Sequence, residues 1–123
     1  MFMLTESYVS FETAKLLKEK GFDIPCGQAY FNGSLVDYTL YGFCDGELLD
    51  CPSQSLALKW LREVHKLHIF AKPYWPQGDM RNKMSWQGFV VDLNTINGDS
   101  QCYAGSPEEA IENRIRFVLE NLI

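Results

Sequence analysis

The sequence has no excess of basic residues. Its 11 lysines and arginines are outnumbered by 16 aspartates and glutamates, which gives a net charge of −5 at pH 7. Nucleic-acid-binding proteins usually neutralise phosphates with a basic stripe, whereas the basic residues here are scattered. Direct binding to DNA or RNA is therefore not expected. An acidic surface that imitates DNA is an alternative, and it requires Asp and Glu clustered on one face.

Long apolar runs are also missing. No stretch approaches the roughly 20 apolar residues of a transmembrane helix, and the opening MFMLTESYVS lacks the basic region of a secretory signal. These absences predict a cytoplasmic protein, in a bacterium or a phage-infected cell, without a membrane partner. The four cysteines, Cys26, Cys44, Cys51 and Cys102, are then expected to be reduced thiols.

Known catalytic motifs are absent as well. The chain contains no GxSxG, no Walker-type loop, no dinucleotide fingerprint and no HExxH. An enzyme is therefore the less favoured interpretation, and no cofactor is expected.

The chain does contain enough apolar material for one core. Of its 123 residues, 46% are hydrophobic and 22% are charged, which is typical of a soluble globular protein. The prediction is a single domain over residues 1–123. Its eight Phe, six Tyr and three Trp cannot all be fully buried, so some are expected on a groove or a partner face.

Three segments have the capping residues and apolar spacing of helices. Ser10 is a suitable N-cap for a helix that Gly21 closes. Ser53 is suited to cap a one-sided helix over residues 54–67. Ser106 begins the last helix, with Pro at its first position and an apolar stripe after it. The stripe consists of Ile111, Ile115, Val118 and Leu122. An exposed end of the stripe would support a homodimer.

The segments between these helices predict strands joined by turns. Asn-Gly at 32–33, Asp-Gly at 45–46 and Asn-Gly at 97–98 are hairpin signals. Further strands are expected at residues 69–74, 86–93 and 101–104. The order α–β–β–α–β–β–β–α predicts an α+β domain, in which a mostly antiparallel sheet of about four or five strands packs with three helices.

The two histidines, His65 and His68, lie three residues apart near the end of the second predicted helix. At about 100° per residue, both point toward the side that faces the sheet, where they are expected to cap the helix C-terminus. The alternative is a metal-dependent or cysteine enzyme that uses these histidines with Cys44 and Cys51. Structural zinc sites bring their cysteines as close pairs, and six residues separate these two, so no metal is expected.

The segment KPYWPQGDMRNKMSW predicts a recognition surface. Tyr74, Trp75 and Trp86 surround a polar tip that carries Arg81 and Lys83. Aromatic residues and Arg are enriched where proteins contact partners. These five residues are the candidate partner-binding site, with the alternative that Trp86 and a neighbour only cover the core.

Three helical segments also carry a resemblance to a known group. YVSFETAKLLKEKGFDIPC, PSQSLALKWLREVHKLHI and SPEEAIENRIRFVLENLI resemble uncharacterised small proteins of phages, prophages and mobile elements of gut bacteria. The order of elements is also similar to that of phage α-β-α sandwich domains. The resemblance covers about half the chain and implies an accessory protein without assigning residues a role. Together with the aromatic loop, it predicts a non-catalytic protein that binds another protein.

Overall fold

The computed structural model describes residues 7–24, 26–31, 34–37, 48–74, 85–95 and 97–123. These residues form an α+β structure of three helices and two antiparallel sheets. The elements in chain order are α1 (Phe11–Glu19), β1 (Gln28–Phe31), β2 (Ser34–Asp37), β3 (Leu48–Asp50), α2 (Gln54–His65), β4 (Leu67–Tyr74), β5 (Ser85–Asp92), β6 (Asn97–Ala104) and α3 (Pro107–Asn121). None of these helices is both long enough and apolar enough to cross a membrane.

The chain groups into two compact units, Met1–Ala57 and Leu58–Ile123. Within the described residues each sheet has three strands, fewer than the four or five predicted for a single sheet. The strand order is β2-β1-β3 in one sheet and β4-β5-β6 in the other. Each sheet is therefore built from strands that are close in sequence, while the single domain over 1–123 stays a prediction.

Helix α1 is the first helix of the first unit, and it starts after Ser10 and ends before Gly21, as predicted. The Ser10 hydroxyl accepts a hydrogen bond from the Thr13 amide at 3.2 Å and so satisfies one amide of the first turn. Gly21 closes the helix with φ 100°, a left-handed value that glycine adopts without steric cost. The apolar side of α1 packs against β3. The buried apolar residues in the described part of this unit include Val9, Ala14, Leu17, Phe22, Ala29, Leu49, Cys51 and Ala57.

The first sheet contains the hairpin predicted at residues 32–33. Phe31 of β1 pairs with Ser34 of β2, so two residues join the strands. On its other side β1 pairs with β3, where Tyr30 lies opposite Leu49. The predicted turn at 45–46 lies outside the described residues.

The second helix begins as predicted and ends earlier. The Ser53 hydroxyl accepts from the Leu56 amide at 3.2 Å, but the helix stops at His65 rather than at residue 67. Lys66 has φ 58°, which breaks the helical path. Leu67 then starts β4 and pairs with Asp92. A strand is favoured here because it buries both Leu67 and Ile69, which are two residues apart and therefore lie on the same face.

The second sheet corrects the turn predicted at residues 97–98. Asp92 of β5 pairs with Asn97 of β6, so four residues form the connection and 97–98 belong to the strand. The Asp92 carboxylate accepts from the Asn94 amide at 2.9 Å. This local bond starts the turn at Asp92, ahead of the Asn-Gly pair.

The last helix packs across one face of the second sheet. Ser106 caps it by accepting from the Glu109 amide at 3.1 Å, and Pro107 is its first residue, as predicted. Ile115 and Val118 of the predicted stripe are fully buried. Leu122 lies beyond the helix end and is 52% exposed, because the helical path stops at Asn121.

Candidate functional site

The predicted partner-binding residues divide between described and undescribed parts of the chain. Trp75, Arg81 and Lys83 lie outside the described residues. Tyr74 ends β4, where it pairs with Ser85. Trp86 is half-buried in β5 and pairs with Pro73. The segment between Tyr74 and Ser85 therefore joins the two strands of one hairpin.

The two histidines, both predicted to cap the second helix, lie in different elements. His65 is the last residue of α2, and its ring packs edge-on against Trp60 at 4.8 Å between centroids. His68 lies in β4 and stacks on Phe70, with 5.6 Å between ring centroids. His68 therefore does not cap the helix. The left-handed backbone at Lys66 separates the two positions.

The metal alternative gains no support within the described part of the chain. No group of three or more His, Cys, Asp or Glu is placed there to hold an ion. Cys51 is fully buried, and its thiol donates to the Val9 carbonyl oxygen at 3.3 Å. Cys44 lies outside the described residues.

Aromatic rings form a continuous stack on the second sheet. Phe70 of β4 and Phe89 of β5 pair across the strands and are parallel within 6°, with centroids 4.9 Å apart. His68 extends the stack beyond Phe70. The Lys72 ammonium lies 5.0 Å from the centroid of the Phe89 ring. We call these four residues the aromatic stack.

Strand alternation sets the face on which this stack lies. Ile69 pairs with Val90, and both are buried on the face that α3 covers. Their neighbours Phe70 and Phe89 therefore project from the opposite face. Both of these phenylalanines are half-buried and Lys72 is exposed, so the stack remains accessible at the surface. By the same alternation, Trp86 shares the face of Val90 rather than that of the stack.

A cavity of about 540 Å³ opens at the other end of this hairpin, within the second unit. Among the residues that the structure describes, its apolar walls are Leu67, Val90, Phe117, Leu122 and Ile123. The polar side chains that line it in the described part of the chain are His65, Asp92 and Thr95. We call it the Asp92 cavity.

Among the described residues that line this cavity, Asp92 has the only acidic side chain. One carboxylate oxygen, Oδ1, accepts from the Asn94 amide. Among the residues that the structure describes, Asp92 forms no ion pair. A half-buried carboxylate among apolar walls can attract a cation more strongly than one in open water.

The first unit has a separate cavity of about 480 Å³, lined in part by Lys18, Asp23 and Asp50. Burial raises the pKa of Asp50, while Lys18 and the Cys26 backbone amide lower it in part. Burial also raises the pKa of the Cys26 thiol to about 11, with a smaller contribution from the Asp50 charge. The Cys26 thiol is therefore protonated at neutral pH, which makes it a weak nucleophile.

Comparison with known proteins adds no assignment. No family model, curated protein or solved structure matches the chain.

Sequence reasoning missed the aromatic stack and the Asp92 cavity. The stack has a local signal, since His68, Phe70 and Lys72 occur at the two-residue spacing of one strand face. The predicted helix ends at residue 67 and the predicted strand begins at residue 69, so His68 is not included in the strand and the spacing is missed. The contribution of Phe89 depends on cross-strand register, and the cavity depends on the packing of α3.

Proposed function

We propose that the protein acts by binding another protein, and that the aromatic stack is its main contact. The observation that carries this proposal is the parallel packing of Phe70 on Phe89 at a half-buried surface. Rigid aromatic rings give a large apolar contact area at little cost in conformational entropy. Such rings are typical anchors of protein interfaces.

The charges around the stack favour a protein over a nucleic acid. Flat rings can also stack on nucleobases, but that mode needs a basic groove for the phosphates. The chain carries a net charge of −5, and the stack itself includes one lysine. A suitable partner has an apolar patch that packs against the rings and a nearby carboxylate that pairs with Lys72.

The predicted loop belongs to the same proposal. It joins the two strands that carry the stack. In the sequence, Trp75, Arg81 and Lys83 lie between these two strands. The resemblance of the three helical segments to mobile-element proteins supports the setting, an accessory protein of a phage or mobile element.

The test is capture of a partner from the lysate of the host with the intact chain as bait. The expected result is one protein in stoichiometric amount, lost when Phe70 and Phe89 are both changed to alanine. Phe11→Ala is the matched control, because Phe11 is also a surface phenylalanine, 38% exposed and in contact with another ring. It is expected to retain the partner.

Three further results would decide against parts of the proposal. Retention of the partner by a folded Phe70→Ala/Phe89→Ala variant would exclude the stack as the contact. Loss of the partner only on deletion of residues 79–83 would move the contact to the loop. Capture of nucleic acid in place of protein would contradict the proposed class of partner.

A further inference from the structure

The Asp92 cavity is separate from the aromatic stack. Its walls Leu67 and Val90 lie on the helix-covered face of the sheet, while Phe70 and Phe89 lie on the opposite face. Its volume of about 540 Å³ falls in the range of small-molecule sites. Such sites combine apolar walls with a few polar groups, which is the arrangement found here.

We propose that this cavity binds a small organic amine, a molecule with a protonated amino group on an apolar body. The proposal goes beyond protein binding and does not depend on it. The amino group would contact Asp92, and the apolar body would lie against Leu67, Val90 and Phe117.

The charge of the ligand follows from Asp92. Its Oδ1 accepts from the Asn94 amide, and within the described part of the chain Oδ2 accepts no hydrogen bond, so it can accept from a ligand. Within the described residues no basic side chain pairs with this carboxylate. A protonated amine supplies both the missing charge and the hydrogen-bond donors. The net charge of −5 also favours the approach of a cation.

The end of the cavity that takes the amino group follows from Arg114. Its guanidinium lies over the Phe117 ring, 4.4 Å from the centroid. A second cation near that ring would be repelled. The amino group is therefore expected at Asp92 and Thr95, with the apolar body toward Phe117.

The first test is a titration of the full chain with benzylamine. Binding is monitored by the backbone amide chemical shifts in two-dimensional NMR spectra. Benzyl alcohol has the same ring and size without the charge, so it reports apolar binding alone. The expected result is a saturable shift around Leu67, Val90, Thr95 and Gly98 with benzylamine, and weaker binding of the alcohol.

The Asp92→Asn variant then tests whether the negative charge of Asp92 contributes to binding, because Asn has nearly the same shape. The amide keeps the Oδ1 acceptor for Asn94 and removes the negative charge. Benzylamine affinity is expected to fall about fivefold, the effect of one ion pair partly open to solvent. Benzyl alcohol affinity is expected to stay the same. Asp23→Asn removes the same charge at an exposed position of the other cavity and should leave both affinities unchanged.

Several results would overturn the proposal. These are equal affinity for benzylamine and benzyl alcohol, no shifts around the cavity, or an equal loss of benzylamine affinity in Asp92→Asn and Asp23→Asn. The last result would mean that net charge alone attracts the amine. Since no partner protein is present, failure of this test leaves the aromatic stack as a separate question.

Discussion

A β-carbon added at Gly88 would lie 2.6 Å from Cγ of Arg114 and 2.9 Å from the carbonyl oxygen of Ala110. Strand β5 and helix α3 therefore meet at a separation that only glycine allows. Phe117 follows Arg114 by less than one helical turn. The close approach at Gly88 thus also positions the helix wall of the Asp92 cavity.

Gly88→Ala is expected to lower the free energy of unfolding by about 1–3 kcal/mol, because the helix must move away from the sheet. Urea unfolding of the variant measures this loss. Gly27→Ala is the matched control, since a β-carbon there meets no atom within 4 Å. An equal effect of the two substitutions would contradict the close approach.

Lys66→Gly is expected to raise the free energy of unfolding by up to about 1 kcal/mol. Lys66 has φ 58°, a conformation that is strained for a side chain with a β-carbon and easy for glycine. The same substitution at Lys59, an exposed position within α2, should instead cost about 1 kcal/mol. Thermal unfolding of both variants provides the comparison. Effects of the same sign would mean that the helix does not end at His65.

The aromatic stack is expected to show measurable coupling between Phe70 and Phe89. In a double-mutant cycle to alanine, the coupling free energy should be about 0.5–1.5 kcal/mol, as for ring pairs in contact. A cycle between Phe70 and Phe117, which lie on opposite sides of the sheet, should be additive. Additivity in both cycles would show that the two rings are not packed together in solution.

Asp50 is expected to make the stability of the protein fall with rising pH. Burial raises its pKa in the folded state above the ordinary value of 3.8. At a pH between the pKa of Asp50 in the unfolded state and its higher pKa in the folded state, the folded protein binds more protons than the unfolded protein. The free energy of unfolding therefore falls as the pH rises through this range. At acid pH below both values, the group is protonated in both states and has no such effect.

Asp50→Asn should therefore remove this fall and melt above the original protein at neutral pH. Lys18→Met should have the opposite effect, because Lys18 favours the charged carboxylate. Melting temperatures measured across the acid range test both signs. A steeper fall with pH in Asp50→Asn than in the original protein would contradict the assigned direction.

The helix starts could be predicted because their signals are local. Ser10, Ser53 and Ser106 each accept a hydrogen bond from an amide three residues later, so a few residues determine each start. The hairpin at 32–33 is local in the same way. The class of the fold followed from these elements, since helices and antiparallel hairpins together make an α+β structure.

The turn at 97–98 and the end of α2 show where local signals failed. Asn-Gly suits a turn, yet the Asp92 side chain closes the connection earlier. Leu67 fits the apolar side of a helix as well as it fits a strand. Leu67 is in a strand because it pairs with Asp92 of β5, a contact that is distant in sequence.

The sequence by itself determined the helix caps, the hairpin at 32–33, the acidic charge and the α+β class, because each depends on composition or on residues within one turn of each other. Tertiary structure decided the rest. The stack joins Phe70 to Phe89 through cross-strand register, and the Asp92 cavity joins strand ends to α3. Both candidate sites therefore depend on contacts between residues that are distant in sequence, which local propensity does not encode.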